Sequence, residues 1–126
     1  MSTLNVSNIS DGTDTVATGY VVNGSAKAWV IQDTGGTNVT RGSLNISSFT
    51  DDGTGDHKLN YSNSFSGSDN YSVTGSTSTT TGGNPGVIQS NVSSTASLLD
   101  FEVKRSTDGA KSDSNIVGIH IHGDLA

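Results

Sequence analysis

The chain has 126 residues, carries six Lys or Arg against twelve Asp or Glu for a net charge of -6, and contains no cysteine. That length suits one ordinary domain, the missing cysteines exclude disulfide bracing, and the cations, of which only Lys104 and Arg105 are adjacent, do not form the basic cluster that a nucleic-acid partner requires. Leu, Ile, Val and Phe make up about a fifth of the residues, close to the limit for a self-sufficient core, so subunit contacts are expected to complete the burial.

Taken in chain order, the first alternation of apolar and polar residues sets Leu4 and Val6 against Asn5 and Ser7 and predicts a strand running to Ile9. Residues 1–12 are read as a docking arm with Leu4, Val6 and Ile9 as its contacts, and residues 13–126 as a single β-sandwich domain. Thr13 to Tyr20 is the best helix candidate, but Thr and Gly oppose a helix and Val16 and Ala17 scarcely build an apolar face; an irregular segment or a single turn is expected. Next come a strand over Ala26 to Val30, a strand over Ser43 to Ser48, and a hairpin turn over Asp51 to Asp56. Leu59 and Tyr61 alternate with Lys58 and Asn60, Asn70 to Val73 forms another strand, and Leu99, Phe101 and Val103 alternate with Asp100, Glu102 and Lys104. Between these runs lie the turn signals Asp11-Gly12, Asn23-Gly24, Gly35-Gly36, Asp52-Gly53 and Asp108-Gly109. The polar stretch Gly75 to Gly86, around the single proline Pro85, reads as a surface loop. Seven or eight short strands joined in this way predict an all-β fold, an antiparallel β-sandwich or jelly-roll-like domain.

No apolar run approaches the roughly 20 residues that span a bilayer, so membrane insertion is not expected. The N-terminal residues lack a basic and an apolar region of the secretory type, which predicts assembly in a cytoplasm. Asn-x-Ser/Thr triplets at Asn5, Asn8, Asn23, Asn38, Asn45, Asn60, Asn70 and Asn91 are accordingly read as the polar faces of alternating strands rather than as glycosylation acceptors.

Chemistry-bearing patterns are sparse. No Ser, Cys or Thr stands in a nucleophile elbow, and Gly53-Thr54-Gly55 lacks the helix and Lys of a phosphate cradle. Asp51, Asp52 and Asp56 lack the alternate spacing of a calcium loop. No enzymatic activity is expected. In Ile119-His120-Ile121-His122 the two imidazoles share one strand face and the two isoleucines the other, the sharpest metal-ligand pattern in the chain. Trp29 is expected to anchor the core or a subunit interface, since Lys27 and Ile31 leave its face undecided.

Several of these segments together carry a resemblance. Ala26-Lys27-Ala28-Trp29-Val30, Ser43 to Ser48, the Asp51 to Asp56 turn and Asn70-Tyr71-Ser72-Val73, with Thr3 to Ile9 at one end and Ile116 to Asp124 at the other, resemble a module recurrent in tail-fibre and virion surface proteins of bacteriophages, especially marine cyanophages. The resemblance implies a structural virion protein on the particle surface, a homotrimer acting as a head-decoration knob or a short tail-fibre component, with other virion proteins as partners. It also admits an alternative, a receptor-binding module for host surface glycans. The His120/His122 pair looks like the metal-bound tips of some trimeric phage fibres, which would put an axial transition-metal ion among six imidazoles of a trimer; otherwise no cofactor is expected. Met1 is followed almost at once by the Leu4-to-Ile9 run, which favours a short appendage over a stalked fibre.

Overall fold

The computed structural model describes residues 2–78 and 83–126. Its main body is a sandwich of two four-stranded antiparallel sheets. One sheet contains β3 (Ala28–Asp33), β4 (Val39–Leu44), β7 (Tyr71–Thr77) and β10 (Val117–Gly123) in the order β4-β3-β10-β7. The other contains β5 (Ile46–Gly53), β6 (Asp56–Tyr61), β8 (Gly86–Ser90) and β9 (Leu98–Arg105) in the order β5-β6-β9-β8. Adjacent strands β3 and β4, β5 and β6, and β8 and β9 pair within one sheet, which favours a hairpin-built sandwich over a jelly roll.

Period-two alternation builds the core. Along β6 the pattern turns His57, Leu59 and Tyr61 inward; along β9, Leu99, Phe101 and Val103; along β10, Val117, Ile119 and Ile121. Ala28 and Val30 of β3 and Phe65 complete the cluster. At its lower end three rings meet edge to face or tilted, Tyr61 with Phe65 at 4.9 Å and Phe65 with Tyr71 at 4.8 Å. Asp100 keeps its expected outward face but is buried there under the segment before β9, from which Asn91 and Ser93 donate to its carboxylate at 2.6 and 2.7 Å.

Several sequence expectations are corrected. Ser43 to Ser48 is not one strand. Asn45 takes a left-handed φ of 58°, so Leu44 ends β4 in one sheet and Ile46 begins β5 in the other. The corner is held by its own amide, whose Oδ1 accepts the Asn63 N–H at 2.7 Å and whose Nδ2 donates to the Asn63 carbonyl at 3.0 Å. The strand expected from Leu4 shrinks to β1 (Asn8–Ser10), which pairs with β2 (Thr15–Ala17) around Gly12. The boundary placed after residue 12 therefore falls inside a hairpin. A helix, α1 (Thr18–Gly24), follows, longer than the single turn expected and taking in the Asn23-Gly24 pair read as a turn. In the Gly75 to Gly86 stretch, β7 continues through Thr77 and β8 starts at Gly86; residues 79–82 of that loop lie outside the described residues.

Since Phe101 is fully buried between the sheets, Phe101→Ala is expected to cost about 3–5 kcal/mol in a denaturant titration. Val92→Ala, at an exposed site, is expected to leave the midpoint unchanged.

Candidate functional site

The outward face of the β4-β3-β10-β7 sheet carries the chemically distinctive residues. Because Ala28, Val30, Ile119 and Ile121 turn inward, Trp29 and Ile31 of β3 and His120 and His122 of β10 turn outward. Register makes neighbours of them: Trp29 lies opposite His120 on one side and Leu44 on the other, His120 opposite Thr74, and His122 opposite Ser72. The six-membered ring of Trp29 lies over Gly42, where an added Cβ would come within 3.2 Å of it. The indole is half-buried and outside the core cluster, which corrects the expectation of a core anchor and leaves the interface role. His120 is exposed and His122 half-buried.

The second distinctive region is the N-terminal arm, residues 2–25, in which no described residue is buried. Leu4 is 84% exposed, Tyr20 77% and Val22 59%; Val6, Ile9, Val16 and Val21 are exposed as well. Ordered contacts nevertheless shape the arm. Asp11 Oδ1 accepts the Thr13 and Asp14 N–H groups at 2.9 Å each, and Thr18 Oγ1 donates to the Val6 carbonyl at 2.9 Å. Where the arm joins β3, Lys27 Nζ donates to the Val22 carbonyl and to Ser25 Oγ.

A third locus is the β5–β6 hairpin, with its carboxylates. Gly55, at φ 64°, sits so close to the loop after β9 that a Cβ would come within 2.5 Å of Ser112 N and the Val103 carbonyl. Its N–H donates to Asp113 Oδ1 at 2.7 Å, and the Gly53 N–H to Asp51 Oδ1 at 3.0 Å. Asn38 Nδ2 donates to Asp51 Oδ2, joining the two sheets along the β4/β5 edge. Asp52 pairs with Lys58, and Asp56 with Lys111 at 2.7 Å, so these carboxylates turn to separate partners. Lys111 also pairs with Glu102 at 2.6 Å; hydrogen bonds from Lys104 and Lys111 hold the Glu102 carboxyl below its ordinary range. Inside the hairpin His57 is fully buried, its ring 5.3 Å from Phe49 and 5.5 Å from Phe101 between centroids. Nδ1 is 3.5 Å from Asp51 Oδ1 and Nε2 3.7 Å from Asp113 Oδ1, and neither nitrogen is hydrogen-bonded. Burial pushes its pKa down, against the opposing pull of Asp51, Asp113, Asp56 and Asp52. Sealed from solvent, this imidazole cannot reach a substrate.

Structure thus brings Trp29 and His120 together on one face and keeps Leu4, Val6 and Ile9 in the arm. The apolar surface of α1 was not foreseen, because the helix expected over Thr13 to Tyr20 takes in only its first residues and leaves out Val21 and Val22. Sequence reasoning also missed His57, although the period-two register with Leu59 and Tyr61 already assigned that residue to the inward face. The geometry defines an antiparallel β-sandwich with an exposed apolar arm. The chain matches no protein-family model, no curated protein and no solved structure. Among the described residues, no helix is long and apolar enough to cross a membrane.

Among the described residues, no three His, Cys, Asp or Glu are placed to hold a metal ion. The His120/His122 pair of one chain is therefore too small for a full coordination sphere, which would need ligands from further copies. Elemental analysis of dispersed single chains is expected to find no near-stoichiometric iron, nickel or zinc. A three-fold assembly with this face on its axis is expected to retain one ion per three chains, and loss of that ion in His120→Ala is the check.

Proposed function

We propose that this chain is a structural, non-catalytic module of a bacteriophage particle, a β-sandwich that projects from the virion surface and is held there by its N-terminal arm. The observation that carries the reading is the arm itself: seven large apolar side chains, Leu4, Val6, Ile9, Val16, Tyr20, Val21 and Val22, all exposed on a segment that has β1, β2 and α1 but no fully buried residue among those described. Apolar area left in water is the usual mark of a protein interface. At about 25 cal/mol per Å² of apolar surface removed from water, docking these side chains on a neighbouring virion protein would supply a substantial binding free energy. The resemblance of Ala26 to Tyr61 to phage surface modules points to the same setting, as a decoration knob or short fibre component, and to a homotrimer. In that assembly Trp29, Ile31 and Leu44, on one outward face, are the next surface available for subunit contact.

A second reading, recognition of a host surface glycan, is favoured by one observation. Trp29 is a half-exposed indole on an outward sheet face, beside His120 and Thr74, and a sugar ring can stack on such a side chain.

Removing residues 2–25 is expected to abolish co-sedimentation with particles of the encoding phage while leaving the sandwich's cooperative unfolding in place. Undiminished particle attachment by the truncated chain would overturn the docking role. Glycan-array signal that is present in the intact chain and absent from Trp29→Ser would move the assignment to the second reading.

A further inference from the structure

We propose that His57 is a proton-sensitive latch on the β5–β6 hairpin: a proton taken up between Phe49 and Phe101 draws Asp51 and Asp113 away from the backbone N–H groups of Gly53 and Gly55 and frees the hairpin tip. The inference does not depend on the particle reading, since it follows from the hairpin geometry alone.

A neutral imidazole has one N–H and one lone pair. With its nitrogens 3.5 and 3.7 Å from the nearest carboxylate oxygens, His57 holds neither carboxylate by a hydrogen bond. In this state both carboxylates are engaged by backbone donors instead. Asp51 Oδ1 holds the Gly53 N–H and Asp113 Oδ1 the Gly55 N–H, the two donors that define the tip. Protonation makes both ring nitrogens donors and places a cation where the two phenyl rings exclude water. A buried cation is costly unless it is hydrogen-bonded. The acceptors within reach are the same two oxygens, and each must move by about 0.8 Å to reach a charge-assisted N–H···O distance.

Gly55 is packed at close range against Ser112 and Val103, so its backbone cannot follow Asp113 without loosening that contact. Other charges near the ring are already committed. Asp52 of β5 pairs with Lys58 of β6; Asp56 of β6 pairs with Lys111 of the loop after β9, which also holds Glu102 of β9. From the β4 side the neighbour on Asp51 is the uncharged Asn38 amide. Because burial depresses proton affinity in the folded chain, the unfolded chain binds the proton more readily. The stability contribution is therefore present above the ordinary histidine value of 6.5 and is lost as pH falls below it toward the depressed folded value.

The test is amide hydrogen exchange at Gly53 and Gly55 in the intact chain from about pH 7.5 to about pH 5, corrected for the intrinsic rate, a window above ordinary carboxylate titration. Protection at both amides is expected to fall several-fold across the window while amides of β9 and β10 keep theirs. His57→Gln is expected to remove the fall, and a chain with His120→Asn and His122→Asn is expected to retain it. Should His57→Gln not fold, the ring titration of His57 followed by NMR in the unaltered chain takes its place, with protonation expected to coincide with the loss of protection. Constant protection while the ring protonates, a ring that stays neutral throughout the window, or an undiminished fall in His57→Gln would each overturn the latch.

Discussion

Apolar contact between the two sheets is the constraint on which everything else in this molecule rests. A chain with so few branched and aromatic side chains can fill one thin layer, and it does so by sending alternate residues of β3, β6, β9 and β10 inward. Leu59, Leu99, Phe101, Ile119 and Ile121 are fully sealed there. The remaining edges are closed by polar work rather than by apolar mass: the Asn45 corner, the Asn38–Asp51 link across the sheets, and the cap that Asn91 and Ser93 place on Asp100. Each of these satisfies backbone or carboxylate groups that a thin core would otherwise leave exposed or unpaired.

Such economy inside the sandwich makes the arm stand out. A composition short of apolar residues leaves Leu4, Val6, Ile9, Val16, Tyr20, Val21 and Val22 in water while the core next to it is filled by others. Apolar residues left in water in this way would gain stabilisation from any surface that covered them. On the sandwich, the outward sheet face divides into an apolar side, with Ile31, Leu44 and half-buried Trp29, and a polar side, with His120, Thr74 and Ser72. The arm and this sheet face are two distinct surfaces of the molecule.

Much of the sandwich was legible in advance because β structure writes its burial into period two. Leu59 and Tyr61, Leu99, Phe101 and Val103, and the outward pair His120 and His122 could all be assigned to faces from alternation, whereas the Asp52-Gly53 signal fell one step early, since both residues end β5 and the turn is at Thr54-Gly55. Leu44-Asn45-Ile46 misled because alternation is blind to a change of sheet: one residue in left-handed conformation preserves the pattern while redirecting the chain. The helix α1 was hidden for a different reason. Thr, Gly and Val have poor intrinsic helix propensity, so their local preference argued against the conformation that the segment takes. Of the candidate site, the chemical identity of Trp29 and His120 was evident, but their adjacency was not, since it depends on β3 and β10 pairing across 91 residues of sequence.

By itself, the sequence determined the all-β class, the inward faces of β6, β9 and β10, the Asp11-Gly12 and Asp108-Gly109 turns, and that no disulfide would contribute. Those properties are local, set by side-chain period and by backbone preference within a few residues. Tertiary structure alone decided that Trp29 meets His120, that Asp113 arrives beside Gly55, that His57 lies between two carboxylates from separate segments, and that the arm stays uncovered. Each of these depends on contacts between distant parts of the chain, and their geometry is fixed only when the two sheets close on their shared core.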